Sequence, residues 1–257
     1  MKLENYELHL PSYSVGKEVY NQIGKICKPY GAKVLVIGGK KALSAAFDKI
    51  SKNAADGGLD IIGKEIYGTD CTYEAVERLA ALTSFQEADM VFAVGGGKAI
   101  DTCKCLCIEC EKPVFTFPTI ASNCAACTSV SIMYHEDGTF FKPHFFTHPA
   151  AHAFIDTQII AAAPYRYLWA GIGDTYAKNY EAEISSRGEK LPHYTEVGVG
   201  FSKMCLTPML EYGRQALEDN KKGVATEALE QVALAIVVTT AIVSIFLTRD
   251  FTPDYNS

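Results

Sequence analysis

The stretch VFAVGGGKAIDTCKCLC, Val91 to Cys107, runs an apolar segment straight into three glycines and a lysine, then into residues at helical spacing. Glycine lets peptide planes approach a ligand closely and take positive φ. A helix starting near Lys98 directs its unpaired N–H groups and positive dipole end at whatever occupies the turn. A phosphate or diphosphate is the natural occupant, and Lys98 adds a charge. The motif is neither a G-x-G-x-x-G fingerprint nor a P-loop, since no Lys-Ser/Thr pair follows at the right spacing. Taken alone, three glycines at a strand end more often mark a tight turn.

Outward from this turn, strands and helices alternate. Ala32 to Ile37 (AKVLVI) reads as a strand buried on both faces and ended by Gly38-Gly39. A helix from about Lys41 to Ala55 follows, closed by Gly57-Gly58, and a second extended run covers Ile61 to Ile66. Thr72 reads as the N-cap of a helix with Glu74 in its first turn and apolar Ala75, Val76, Leu79, Ala80 and Leu82 at helical spacing up to Phe85. Met90 to Val94 is the third strand and Pro113 to Phe117 the fourth. This alternation predicts an α/β fold with a parallel sheet and helices on both faces. From Thr119 to Asp156 short extended pieces, with a turn at Asp137-Gly138, predict a hairpin on the sheet domain. Pro164 opens a region without strand-like alternation, so the expected division is a sheet domain at 1–163 and an all-helical domain at 164–257.

The formal net charge of −6 leaves no basic surplus for phosphates of nucleic acid, which makes small-molecule chemistry the expectation. Met1 to Leu10 lacks the apolar core of a secretory signal, and a cytoplasmic location is expected. Val232 to Leu247 is apolar but shorter than the roughly 20 residues of a membrane span, and it reads as a buried helix. In such a chain the nine cysteines are expected as reduced thiols. Cys103, Cys105, Cys107 and Cys110 crowd together, yet on a helix only the 103–107 and 107–110 pairs share a face, so they read as small buried thiols. Cys124 and Cys127 form a C-x-x-C without a second pair at zinc-finger spacing. His144, His148 and His152 recur every four residues, but Pro143 and Pro149 break the helix that would make them one metal-binding face.

Three motifs in order, GGGKAIDTCK, FPTIASNCAACTSVSIMY and AAAPYRYLWAGIGDTYAKNYEAE, resemble the glycerol dehydrogenase branch of the iron-containing (group III) alcohol dehydrogenases. AKVLVIGGKKAL fits the first strand-turn-helix of that family, so the resemblance covers essentially the whole chain. It implies a dinucleotide-binding sheet domain, a helical domain, and a divalent metal, zinc or iron, in the cleft between them. Gly96, Gly97, Lys98 and Asp101 would line the diphosphate side of NAD, with Thr119, Ser122, Thr128, Val130 and Tyr134 contacting the rest. Asp174, in GIGD, would be the carboxylate ligand of the metal. The implied reaction is oxidation of an alcohol or polyol, the ion stabilising the alkoxide while hydride passes to the nicotinamide.

The match departs from the family in three places. The two histidines that normally complete the metal shell lie downstream in the family, and this chain has no histidine after His193, so a C-terminally truncated, inactive member is expected. Cys124 stands where glycerol dehydrogenases carry a substrate-binding aspartate, which leaves another alcohol or diol open. Gly39, Lys40 and Lys41 follow the first strand without an acid to grip a ribose 2′-hydroxyl, so NADP is tolerated beside NAD. A phosphate-eliminating enzyme of the dehydroquinate synthase type is the alternative, but its several basic residues are not matched by Lys178, Arg187 and Lys190. A non-catalytic nucleotide-binding remnant is the third reading. Apolar surface left by absent helices predicts a homo-oligomer.

Overall fold

Continuous apolar runs in this chain can be satisfied only between two layers of helix, and they form the middle of the sheet. The computed structural model describes residues 6–251. Six parallel strands, β1 (Tyr13–Gly16), β2 (Lys33–Gly38), β3 (Asp60–Ile66), β4 (Met90–Gly95), β5 (Val114–Pro118) and β8 (His152–Asp156), lie in the order β1-β8-β5-β4-β2-β3. The four inner strands are buried on both faces, while edge strand β3 is open along one side.

Side-chain alternation divides the sheet between two cores. Met90, Phe92 and Val94 of β4 turn to the face covered by α1 (Ile23–Cys27) and α2 (Lys40–Asp56). There Phe117 stacks on Phe154 and packs tilted against Phe92, with ring centroids 4.9 and 4.8 Å apart. Val91 and Ala93 turn to the opposite face, against α5 (Gly97–Ile108). That second core runs without a break into the helical region, taking in Leu168, Met209, Val232 and Ile236.

The expected elements form with two differences. Thr72 caps α3 (Tyr73–Ala80), its hydroxyl accepting from the Ala75 N–H at 3.1 Å, but the helix stops there and resumes as α4 (Thr83–Glu87). Leu82 is extended between them (φ −71°, ψ 133°), a break that lets both Leu79 and Phe85 reach the core. The second difference is β1 and β8, which sequence reading did not separate from loops. The hairpin is β6 (Val130–Tyr134) against β7 (Phe140–Phe145), antiparallel, and β8 follows as a sheet strand buried throughout. Asp156 at its end caps α6 (Thr157–Ala162), accepting from the N–H groups of Gln158 and Ile159.

After Pro164 the described residues are helical: α7 (Tyr165–Ser185), α8 (His193–Lys221), α9 (Glu227–Leu234) and α10 (Thr240–Leu247), the last two joined through a wide π-helical turn at Ala235–Thr239. Glu227–Leu247 is the one helix among the described residues long and apolar enough to cross a bilayer. It is packed into the second core by Leu229, Val232, Ala233, Ile236 and Val237. His144, His148 and His152 lie on a strand, a loop and another strand, as the flanking prolines require.

Candidate functional site

The three glycines stand at the carboxyl edge of the sheet, where the strand order reverses between β2 and β4, the usual seat of a ligand in open parallel sheets. Gly95 ends β4 with φ +154°, where L side chains are strained, and a Cβ there would sit 2.9 Å from that of Ala99. Gly96 is extended and stands at the N-cap of α5, which no side chain caps. A Cβ on Gly96 would meet Ile120 at 2.6 Å, and one on Gly97 would meet the Asn123 amide at 2.7 Å. The Thr119 N–H donates to the Gly95 carbonyl at 3.1 Å and fixes the loop after β5 beside the turn. The result is a bare, uncapped helix end facing a cleft of about 1330 Å³.

Of the expected residues, Gly96, Gly97, Lys98 and Asp101 line this cleft from the turn and helix, and Thr119, Ser122 and Tyr134 from the loop and hairpin. Lys98 is half exposed, ion-paired with Asp70, and its ammonium lies 5.2 Å from the Tyr134 ring centre. The hydrogen bond to Asp70 holds its pKa above the usual lysine value, so it stays charged. Lys40 and Lys41 flank the same cleft at the end of β2, together with Tyr67 from the end of β3.

Thr128 and Val130 do not line the cleft; they hold its wall. The fully buried Lys104 donates to the Thr128 carbonyl and hydroxyl, both at 3.2 Å, and to the Val130 carbonyl at 2.5 Å. Its ammonium also lies 3.1 Å from Asp101 Oδ1, while Asp101 Oδ2 accepts from the Ile132 N–H at 3.2 Å. Burial raises the Asp101 pKa and Lys104 pulls it back, so the carboxylate is committed to joining α5 to the hairpin. Sequence reading missed Lys104. Its spacing of three from Asp101 on one helix was the available signal.

Cys124, Asp174 and Lys178 gather on the other side of the loop, toward α7. Burial pushes the Cys124 thiol up to about 12, with the Asp174 carboxylate raising it further and the Lys178 ammonium lowering it. Crowding by protein lifts the Asp174 carboxyl above its usual range, with Lys178 opposing, although the residue is open to solvent. Gly171 lets α7 approach this loop: a Cβ there would lie 2.4 Å from the Ala121 carbonyl oxygen.

The residues fit a dinucleotide better than they fit a metal. Side chains at 96 or 97 would fill the cradle, and the helix end behind it is uncapped, as a diphosphate requires. Asp174 belongs to no convergent set of three His, Cys, Asp or Glu donors among the described residues. Catalytic zinc sites use about three protein ligands.

The profile of the iron-containing alcohol dehydrogenases matches residues 11–156. A glycerol dehydrogenase of Escherichia coli O6:H1 is 32% identical over 224 residues, which is 86% of this chain and 61% of that protein. Among solved structures, glycerol dehydrogenase from Schizosaccharomyces pombe superposes with a TM-score of 0.81 at 24% identity, over 93% of this chain and 62% of that one. Sulfoacetaldehyde reductase from Bifidobacterium kashiwanohense in complex with NAD+ shares the fold, with a TM-score of 0.73 at 17% identity over 94% and 67%. The chain thus spans about three-fifths of the length of the first two. With more than half of its residues inside the profile, the chain belongs to the iron-containing alcohol dehydrogenase family.

Proposed function

We propose that this chain is the dinucleotide-holding portion of an NAD(P)-dependent alcohol or polyol dehydrogenase, divided into a dinucleotide-binding domain at 1–163 and a helical substrate and metal domain at 164–257. The observation that carries the reading is the glycine turn: bare backbone, an uncapped twelve-residue helix and a charged lysine converge on a cleft at the sheet's switch point. Its volume of about 1330 Å³ accommodates an extended dinucleotide. The NAD+ complex of the structurally similar sulfoacetaldehyde reductase supports the same class of ligand.

In this reading the amides of residues 96–98 hold the diphosphate, Lys98 neutralises part of its charge, and Tyr134 walls the cleft beside it. Thr119 and Ser122 contact the remainder, and the Asp101–Lys104 pair keeps the hairpin wall in register. When bound, the nicotinamide supplies the hydride acceptor. Lys40 and Lys41 accept either a hydroxyl or a phosphate at the adenosine ribose, so both NAD and NADP bind. Cys124 and Asp174 face the substrate side, with Lys178 balancing their charge; the substrate is an alcohol.

The described residues give the family's divalent ion a single carboxylate, Asp174, so the isolated chain binds cofactor without robust turnover. Calorimetry with NAD(H) and NADP(H), followed by an alcohol-oxidation screen with added zinc or iron, tests this. Binding without turnover is expected. Robust turnover refutes the inactivity, and absence of binding refutes the dinucleotide site.

A further inference from the structure

A cluster on the far side of the hairpin combines three donor types that hold borderline metal ions. Cys105 and Glu109 stand one turn apart at the end of α5, and β7 brings His144 beside them. One donor atom from each lies within 4.8 Å of the other two. His144 Nε2 sits 2.8 Å from Glu109 Oε1, and its Nδ1 sits 3.1 Å from the Tyr73 hydroxyl. Sulfur continues inward: Cys105 Sγ is 3.7 Å and Cys71 Sγ 3.4 Å from Met133 Sδ. The cluster shares no residue with the cofactor cleft or with the Cys124–Asp174 group.

We propose that Cys105, Glu109 and His144 form a second metal site, for a divalent cation of the zinc class, that clips the end of α5 to the β6–β7 hairpin. Thiolate, imidazole and carboxylate are the ligand types zinc takes, and three protein ligands leave a fourth position for water. Tetrahedral zinc with bonds of about 2.0–2.3 Å holds its ligand atoms roughly 3.3–3.8 Å apart. Reaching that spacing takes movements of about an ångström, within reach of side-chain rotation. At 2.8 Å a proton lies between His144 Nε2 and Glu109 Oε1; on binding, the ion takes its place and the neutral ring carries its proton on Nδ1, donating to the Tyr73 hydroxyl, the outer contact typical of ligating histidine. Binding forms one bond each from sulfur, nitrogen and oxygen and releases the thiol proton to solvent. Cys105 is buried, while the His144 side chain is 20% open and Glu109 52% open, so two of the three donors meet solvent.

The test uses the full 257-residue chain, reduced and stripped of metal, titrated with Co²⁺ as a spectroscopic stand-in for zinc. A thiolate-to-cobalt absorption band saturating at one equivalent and displaced by Zn²⁺ is expected. Cys105→Ser abolishes the band. Glu109→Gln, at an exposed helix end where folding is not at stake, weakens cobalt affinity at least about tenfold. Cys110→Ser and Cys124→Ser retain the band. No thiolate band in the wild-type chain, or a band that survives Cys105→Ser or disappears with Cys110→Ser or Cys124→Ser, overturns the site.

Discussion

Removal of Lys104 is expected to destabilise the fold around the cleft. Its ammonium is fully buried and touches Asp101, Thr128 and Val130 at once, so truncation leaves a buried carboxylate unpaired. Lys104→Met is expected to cost about 3–5 kcal/mol by chemical denaturation. Adding Asp101→Asn is expected to recover part of that loss; simple additivity of the two would show that the pair is not coupled. His152 makes a second prediction at this scale. Burial among Ser12 and Ser14, which lie 2.7 and 2.9 Å from its ring nitrogens, pushes its pKa down to about 4. The folded imidazole therefore protonates after the unfolded one as pH falls. Its contribution is complete above about 6.5 and lost toward pH 4, roughly 3 kcal/mol in all. His152→Asn is expected to flatten stability against pH in that window; an unchanged slope contradicts the assignment.

At the scale of elements, the sequence made the glycine turn, α2, β2 to β5 and the Thr72 cap legible because each is a local signal. The hairpin was legible through Asp137-Gly138. β1 and β8 were not, since each is short and its partners lie far along the chain: Tyr13 pairs with Ala153 and Phe115 with His152. For the site, the cleft-lining residues 96–98 follow from one motif, whereas the Lys104 contacts with Thr128 and Val130 span 24 and 26 residues and depend on the hairpin folding back. Gly171 tests how α7 seats on the loop of residues 119–128. Gly171→Ala places a methyl against backbone oxygen that cannot rotate away, so a loss of about 1–3 kcal/mol and a lower Tm are expected. Unchanged stability would mean that α7 does not pack there.

For the whole molecule, the two parts share one continuous core, yet α7 and α8 leave large apolar side chains in solvent: Trp169 at 63%, Ile184 at 65% and Leu210 at 65%. Exposed apolar side chains of this size are expected to be covered by a second copy, and light scattering at micromolar concentration checks it; a monodisperse monomer contradicts the association. The central claim is that the amides after β4 grip the diphosphate of a nicotinamide dinucleotide. Amide hydrogen exchange with and without NADH, on the wild-type chain and on Gly97→Val, reads those amides directly. Slowed exchange at residues 96–101 in the wild type, absent from a folded Gly97→Val, is predicted. NADH binding that leaves these amides unprotected, or no binding at all, contradicts it.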